Sequence, residues 1–227
     1  MNKLVLFDID GTLIKGDNKK HRLSFCYAFK KVYELDTTID IIDHHGKTDK
    51  QIILEVLKKK GLDEQRIRLK INEAIKEMTA YFEKSISKDK LSLFEGAQTI
   101  LEELSKNNIL LGLVTGNLEP IARAKLKNVN VNDYFKLGGF GSDDENRINL
   151  VRIATKRAED NFGFKFDNNV FLIGDTPRDI EAGKGAGVKT IAISTGPYSW
   201  QELKAENPDF LFKSLTFKEE ILNAILS

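Results

Sequence analysis

The sequence predicts an α/β fold, a parallel sheet with helices on both faces and an all-helical unit inserted after the first strand. Three observations carry this. Apolar runs too short for helices recur at residues 4–7, 109–114, 170–173 and 190–193, and a run that is apolar throughout marks a strand buried on both faces. From residue 93 onward, segments of helical spacing alternate with these runs, the order that builds parallel sheets. Residues 15–87 instead carry helical patterns and no strand signal. They read as an insert, which leaves 1–14 and 88–227 as the core.

The first strand, Leu4–Phe7, ends in Asp8-Ile9-Asp10-Gly11-Thr12. Residues two apart on a strand face the same side, so the two carboxylates are neighbours and repel each other. A divalent cation or a shared proton is the usual remedy. Gly11 permits a tight departure of the backbone, and ligands of open α/β sheets bind beyond the carboxyl ends of the strands. A calcium loop fits poorly: Thr12, Leu13 and Ile14 follow the glycine where that loop needs further oxygen ligands.

Residues 12–17 read as a loop and 20–35 as a helix with Phe25, Ala28, Phe29 and Val32 on one face. The polar stretch from His44 to Asp49 interrupts the pattern. Thr48 or Asp49 can cap a second helix that buries Ile52, Ile53, Val56 and Leu57 and ends at Gly61, and Asp63 can cap a third. Residues 85–90, polar and charged, are the expected hinge. In the core, helices are expected over 96–106, 118–127 (with Pro120 tolerated in the first turn), 146–161, 180–186, 198–206 and 217–226. Further short strands are expected at 135–140 and, as an edge, 210–212.

A net charge of +1 over 227 residues gives no broad basic surface for nucleic acid and no acidic tail. The single cysteine, Cys26, excludes an internal disulfide and suits a reducing compartment; among Phe25, Tyr27 and Phe29 it reads as a small buried hydrophobe. The N-terminal apolar run is too short for a signal peptide, and no segment reaches membrane-spanning length. The expectation is a cytoplasmic protein that touches neither membrane nor nucleic acid.

Polar groups gather at three strand ends: Asp8 and Asp10, Thr115-Gly116-Asn117, and Asp175 with Asp179. If the strands are parallel neighbours, all three tips share one sheet edge. Several carboxylates balanced by one cation match the oxygen coordination of Mg²⁺. The Thr115 hydroxyl and the N–H groups of Gly116 and Asn117 at a helix start suit an anion. Metal, anion pocket and carboxylate nucleophile together are an apparatus for phosphoryl transfer.

On Asp8-Ile9-Asp10-Gly11-Thr12-Leu13, Thr115-Gly116-Asn117 and Gly174-Asp175-Thr176-Pro177-Arg178-Asp179, the chain resembles the haloacid dehalogenase superfamily of aspartate-nucleophile phosphatases. The motifs come in that family's order over essentially the whole chain, and the helical block sits where members with a helical cap insert it. The resemblance implies a Rossmann-like core, Asp8 as nucleophile and Asp10 as general acid and then base. It implies Mg²⁺ held by Asp8, the Asp10 carbonyl and Asp175 with Asp179 in support, and Thr115, Gly116 and Asn117 on the phosphoryl oxygens. It also calls for a cation touching both nucleophile and phosphate. Arg147 is the choice, with Arg152 and Lys156 as rivals, because the frequent Lys-Pro form is absent.

Gly46-Lys47-Thr48-Asp49 resembles the cap loop of phosphoglycolate-phosphatase-like members, so His45, Lys47 and Thr48 are the expected substrate contacts. Three histidines without a cysteine partner do not suit zinc. The expected activity is Mg²⁺-dependent hydrolysis of small phosphorylated metabolites. A phosphosugar mutase of the β-phosphoglucomutase type is the alternative. A haloacid dehalogenase works without Mg²⁺, against which Asp10 and Asp175 argue, and the intact acidic set argues against a non-catalytic binding module.

Overall fold

The computed structural model describes residues 3–16, 19–88 and 90–227. In chain order these form β1 (Leu4–Phe7), β2 (Ile14–Lys15), α1 (Lys19–Tyr33), α2 (Asp49–Lys59), α3 (Glu64–Ser85), β3 (Ser92–Leu93), α4 (Ala97–Lys106), β4 (Leu110–Thr115) and α5 (Glu119–Asn128). There follow β5 (Leu137–Phe140), α6 (Arg147–Phe162), β6 (Val170–Gly174), α7 (Pro177–Ala186), β7 (Lys189–Ile193), α8 (Trp200–Ala205), β8 (Phe210–Phe212) and α9 (Lys218–Leu226).

Six strands make one parallel sheet in the order β5-β4-β1-β6-β7-β8. β1 is fully buried because it is covered twice. Val5 and Phe7 pack on one face with α4, α5 and α9, and Leu4 and Leu6 pack on the other with α6 and α7. This two-sided burial is why its sequence does not alternate. The chain builds β4 and β5 on one side of β1, then crosses to build β6 and β7 on the other. The carboxyl end of β1 is thus the switch point of the sheet, where a crevice opens.

The helices α1, α2 and α3 bury their own apolar cluster around Phe25, Phe29, Ile53, Ile67, Met78 and Phe82. Leu118 and Ile121, at the start of α5, join that cluster and so seat the helical block on the sheet domain. Helix starts follow the expected chemistry. Thr48 accepts from the N–H of Gln51 in a reciprocal capping box, and Asp63 accepts from the N–H groups of Gln65 and Arg66.

Three details depart from expectation. Ile14–Lys15, expected in a loop, pairs antiparallel with Ser92–Leu93, so both linkers to the helical block run through one small ribbon. Two-residue strands leave too little periodicity to read. Asp17 and Asp89, expected in the linkers, lie outside the described residues. The α7 helix begins at Pro177, three residues early, because Thr176 caps it and proline suits its first turn. Cys26 is only half-buried: the inward stripe of α1 runs through Phe25, Ala28, Phe29 and Val32, and residue 26 lies off it. Among the described residues no helix is long and apolar enough to cross a membrane.

Candidate active site

Three strand ends meet at the switch point. Asp8 continues β1, its N–H bonded to the Ile173 carbonyl of β6 at 2.9 Å. Asp175 follows β6 directly, and Asp179 sits in the first turn of α7. One carboxylate oxygen from each of Asp8, Asp175 and Asp179 lies within 4.8 Å of the others. All three side chains are buried. Gly11 closes one wall: at φ +89° a side chain is disfavoured, and a Cβ there would lie 2.2 Å from Asp175 Oδ2.

Arg147, at the start of α6, faces this cluster. Its Nη2 lies 3.0 Å from Asp8 Oδ1 and donates to Asp179 Oδ1 at 2.5 Å. Asp179 Oδ2 accepts from the Thr176 N–H and hydroxyl, so both of its oxygens are engaged. Thr12 donates to Asp175 Oδ1 at 2.7 Å, while the buried Asp175 Oδ2 has no hydrogen-bond partner among the described residues. Arg152 is directed instead to the Gly185 carbonyl and Lys156 to Asp160, both on the surface.

One guanidinium does not balance three buried carboxylates. Burial raises Asp8 to about 7 despite the pull of Arg147, and burial, then Asp8 and Asp179, raise Asp175. An orphaned carboxylate oxygen inside an over-charged oxygen cluster fits a hard divalent cation.

Asp10 sits in the opposite field. Its Oδ2 accepts from Asn117 Nδ2 at 2.8 Å and from Lys125 Nζ at 2.7 Å. Burial alone would raise this carboxyl, but Lys125 and then His21 hold it down to about 2. The Asp10 side chain therefore lies outside the three-carboxylate cluster, and only its carbonyl is left for the metal role that the sequence suggests. Thr115 Oγ1 accepts from the Asn117 N–H at 3.3 Å and from Asn117 Nδ2 at 2.8 Å, folding the Thr115-Gly116-Asn117 turn against the Asp10 side chain.

Above these groups is a cavity of about 320 Å³. Asp8, Asp10, Thr115, Gly116, Asn117, Arg147 and Asp175 form its floor, and Arg22, His44, His45 and Lys47, with Phe25 and Ile52, form its roof. Arg22 pairs with Asp40 at 2.5 Å and Lys47 with Glu55. The His44 and His45 rings stack with centroids 4.6 Å apart. Burial and the neighbouring His45 lower His44.

A family model described as haloacid dehalogenase-like hydrolase matches residues 5–193. The chain belongs to the haloacid dehalogenase-like hydrolases. A protein provisionally named pyrophosphatase PpaX from Clostridium perfringens is 29% identical over 220 residues, spanning 92% of each chain. A phosphoglycolate phosphatase from Aquifex aeolicus is 24% identical over 92% of this chain and 91% of its own. A solved structure provisionally named β-phosphoglucomutase from Bacteroides vulgatus superposes with a TM-score of 0.69 at 25% identity, covering all of this chain and 90% of that one.

Of the three residues expected to contact substrate, His45 and Lys47 line the cavity of this haloacid dehalogenase-like protein, but Thr48 does not. Thr48 is fully buried. Its hydroxyl caps α2 and donates to the Glu145 carbonyl at 3.2 Å, so the structure gives it a capping task at the start of α2. The sequence reading missed Lys125 altogether. A signal was available: Lys125 stands four residues after Ile121 and three after Ala122, on the apolar stripe of α5.

Proposed function

We propose that the protein is a Mg²⁺-dependent phosphatase for small phosphate monoesters, working in the cytoplasm through an aspartyl-phosphate, with residues 15–87 acting as a cap domain over a core of 1–14 and 88–227. The observation that carries this reading is the convergence of Asp8, Asp175 and Asp179, with Arg147 on the nucleophile, beneath a small roofed cavity. Its volume is at the low end for small-molecule sites, which suits a compact leaving group.

Asp8, Asp175 and the Asp10 carbonyl would hold the metal, with Asp179 in support. Bound there, it would neutralise the carboxylates and draw charge from a phosphoryl oxygen. An Asp8 oxygen attacks phosphorus as the bond to the leaving oxygen breaks, and Asp10 gives that oxygen its proton. Asp10 then takes a proton from water, whose oxygen attacks the phosphorus and releases Asp8 and inorganic phosphate. Arg147 steadies Asp8 and offers a fixed positive charge, and the Thr115 hydroxyl with the N–H groups of Gly116 and Asn117 receives the phosphoryl oxygens. As a base, Asp10 is ready as it stands. As an acid it must first gain a proton, which an arriving dianionic ester favours. His45 and Lys47 would read the leaving group.

The relatives' names define the panel that tests this: phosphoglycolate, inorganic pyrophosphate, glucose 1-phosphate and p-nitrophenyl phosphate, each with and without Mg²⁺. Phosphate release that needs Mg²⁺ and vanishes in Asp8→Asn supports the reading. Activity that survives EDTA, or survives in Asp8→Asn, sinks it. The similarity to a structure named as a mutase favours one second reading, in which isomerised sugar phosphate would form in place of free phosphate.

A further inference from the structure

Lys125 is fully buried, which lysines almost never are unless paired. Its ammonium has three hydrogens and three acceptors from three parts of the chain: Asp10 Oδ2 at 2.7 Å, Asn117 Oδ1 at 3.0 Å and His21 Nδ1 at 3.2 Å. An ammonium offers no lone pair, so Nδ1 of His21 is the acceptor and Nε2 carries the hydrogen. That Nε2–H donates to Asp49 Oδ2 at 3.2 Å. Asp49 Oδ2 also accepts the Leu118 N–H at 2.8 Å, and the Asp49 N–H donates to the Gly116 carbonyl at 2.8 Å.

The circuit therefore passes from Asp10 to Lys125 in the core, crosses to His21 on α1 and Asp49 on α2, and returns to the core at Leu118 and Gly116. Lys125 does not line the cavity, so it acts on the chemistry only through its neighbours. We propose that Lys125 is a positioning residue that makes the aim of the Asp10 carboxylate depend on the seating of the helical block, through His21. With His21 docked, all three ammonium hydrogens are directed and Asp10 and Asn117 are fixed together. With the block displaced, the ammonium loses one acceptor and its grip on Asp10 loosens. The acid is thus in place when the cavity is roofed. This inference rests on reading Asp10 as the group that protonates the leaving oxygen.

The test uses two esters that differ in their need for that proton. Nitrophenolate leaves p-nitrophenyl phosphate with little help, whereas ethyl phosphate needs its alkoxide protonated. The measurement is kcat/KM, which reports only the steps up to release of the leaving group. Lys125→Met is expected to lose about 100-fold on ethyl phosphate, the low end of what a general acid supplies, and under about 5-fold on p-nitrophenyl phosphate. His21→Phe, which keeps a ring and severs the link, is expected to show the same selectivity at about 10-fold, and the double variant to be no worse than Lys125→Met alone.

Equal losses on both esters, or losses that multiply in the double variant, would overturn the inference. If Lys125→Met does not fold, His21→Phe and Lys125→Gln, which keeps an N–H for Asp10, are read by the same ratio. Asp8→Asn separates the two levels. If the wild type releases no phosphate, or Asp8→Asn stays active, the reading of the whole site fails. A Mg²⁺-dependent wild type with unselective Lys125 and His21 variants sinks only this proposal.

Discussion

Asp8 and Asp10 stand two residues apart on one strand end yet sit in opposite fields. Asp8 is buried against Asp179 with a single guanidinium to help it, and rises to about 7. Asp10 is half-buried against an ammonium and falls to about 2. The raised Asp8 has a consequence for stability. Its folded form prefers the proton, so the stability it contributes is complete below the ordinary carboxylate range, near 4, and is lost as pH rises through about 7. Metal-free protein is expected to melt at least about 3 °C lower at pH 8 than at pH 5, the change that 1 kcal/mol makes in a chain of this size. Asp8→Asn should flatten that slope, because the amide does not titrate; an unchanged slope in thermal melts would remove Asp8 as its source. Asp8→Asn should also fold normally and, on the proposed role of Asp8 as covalent nucleophile, lose at least about 1000-fold in turnover.

At the scale of elements, the junction between α2 and the Thr115-Gly116-Asn117 turn decides two assignments. Thr48 is read as the N-cap of α2, so Thr48→Ala should cost about 1 kcal/mol of stability in a denaturant titration and leave the ranking of substrates unchanged. A changed ranking at unchanged stability would return Thr48 to the substrate contacts. Gly116 is different. It meets the chain of the helical block so closely that a Cβ would lie 2.2 Å from the Lys47 carbonyl. Gly116→Ala is expected to keep the sheet domain folded but hold the block off its seat, lowering kcat/KM about 10-fold or more through displaced groups. The sequence made the first of these features legible, since capping is written in four consecutive residues. It could not show the second, because nothing near Gly116 in sequence records that residue 47 lies against it.

The same divide between local and long-range information runs through the whole molecule. The buried strands, most helix starts and the acidic strand ends were readable, because each is encoded within a few residues. The linker ribbon, the half-exposure of Cys26 and the burial of Lys125 depend on which surfaces meet, and so escaped. What the assembled sheet adds is a concentration of negative charge at its switch point that the net charge of the whole chain, +1, does not show. That excess would tie the stability of the fold to a divalent cation bound at the proposed site. At Mg²⁺ about 100 times its dissociation constant, binding to the folded state alone adds about 2.7 kcal/mol, a rise in melting temperature of about 5–10 °C for a chain of this length. The rise should be larger at pH 8 than at pH 5, because the ion competes with protons for Asp8 and Asp175, both of which burial raises. Asp175→Ala removes the carboxylate whose Oδ2 is orphaned and should abolish most of the rise, while raising the stability of the metal-free protein by relieving repulsion. Differential scanning calorimetry of both proteins, with EDTA and with Mg²⁺, reads all of this at once. An equal Mg²⁺ shift in wild type and Asp175→Ala would place the ion elsewhere on the molecule.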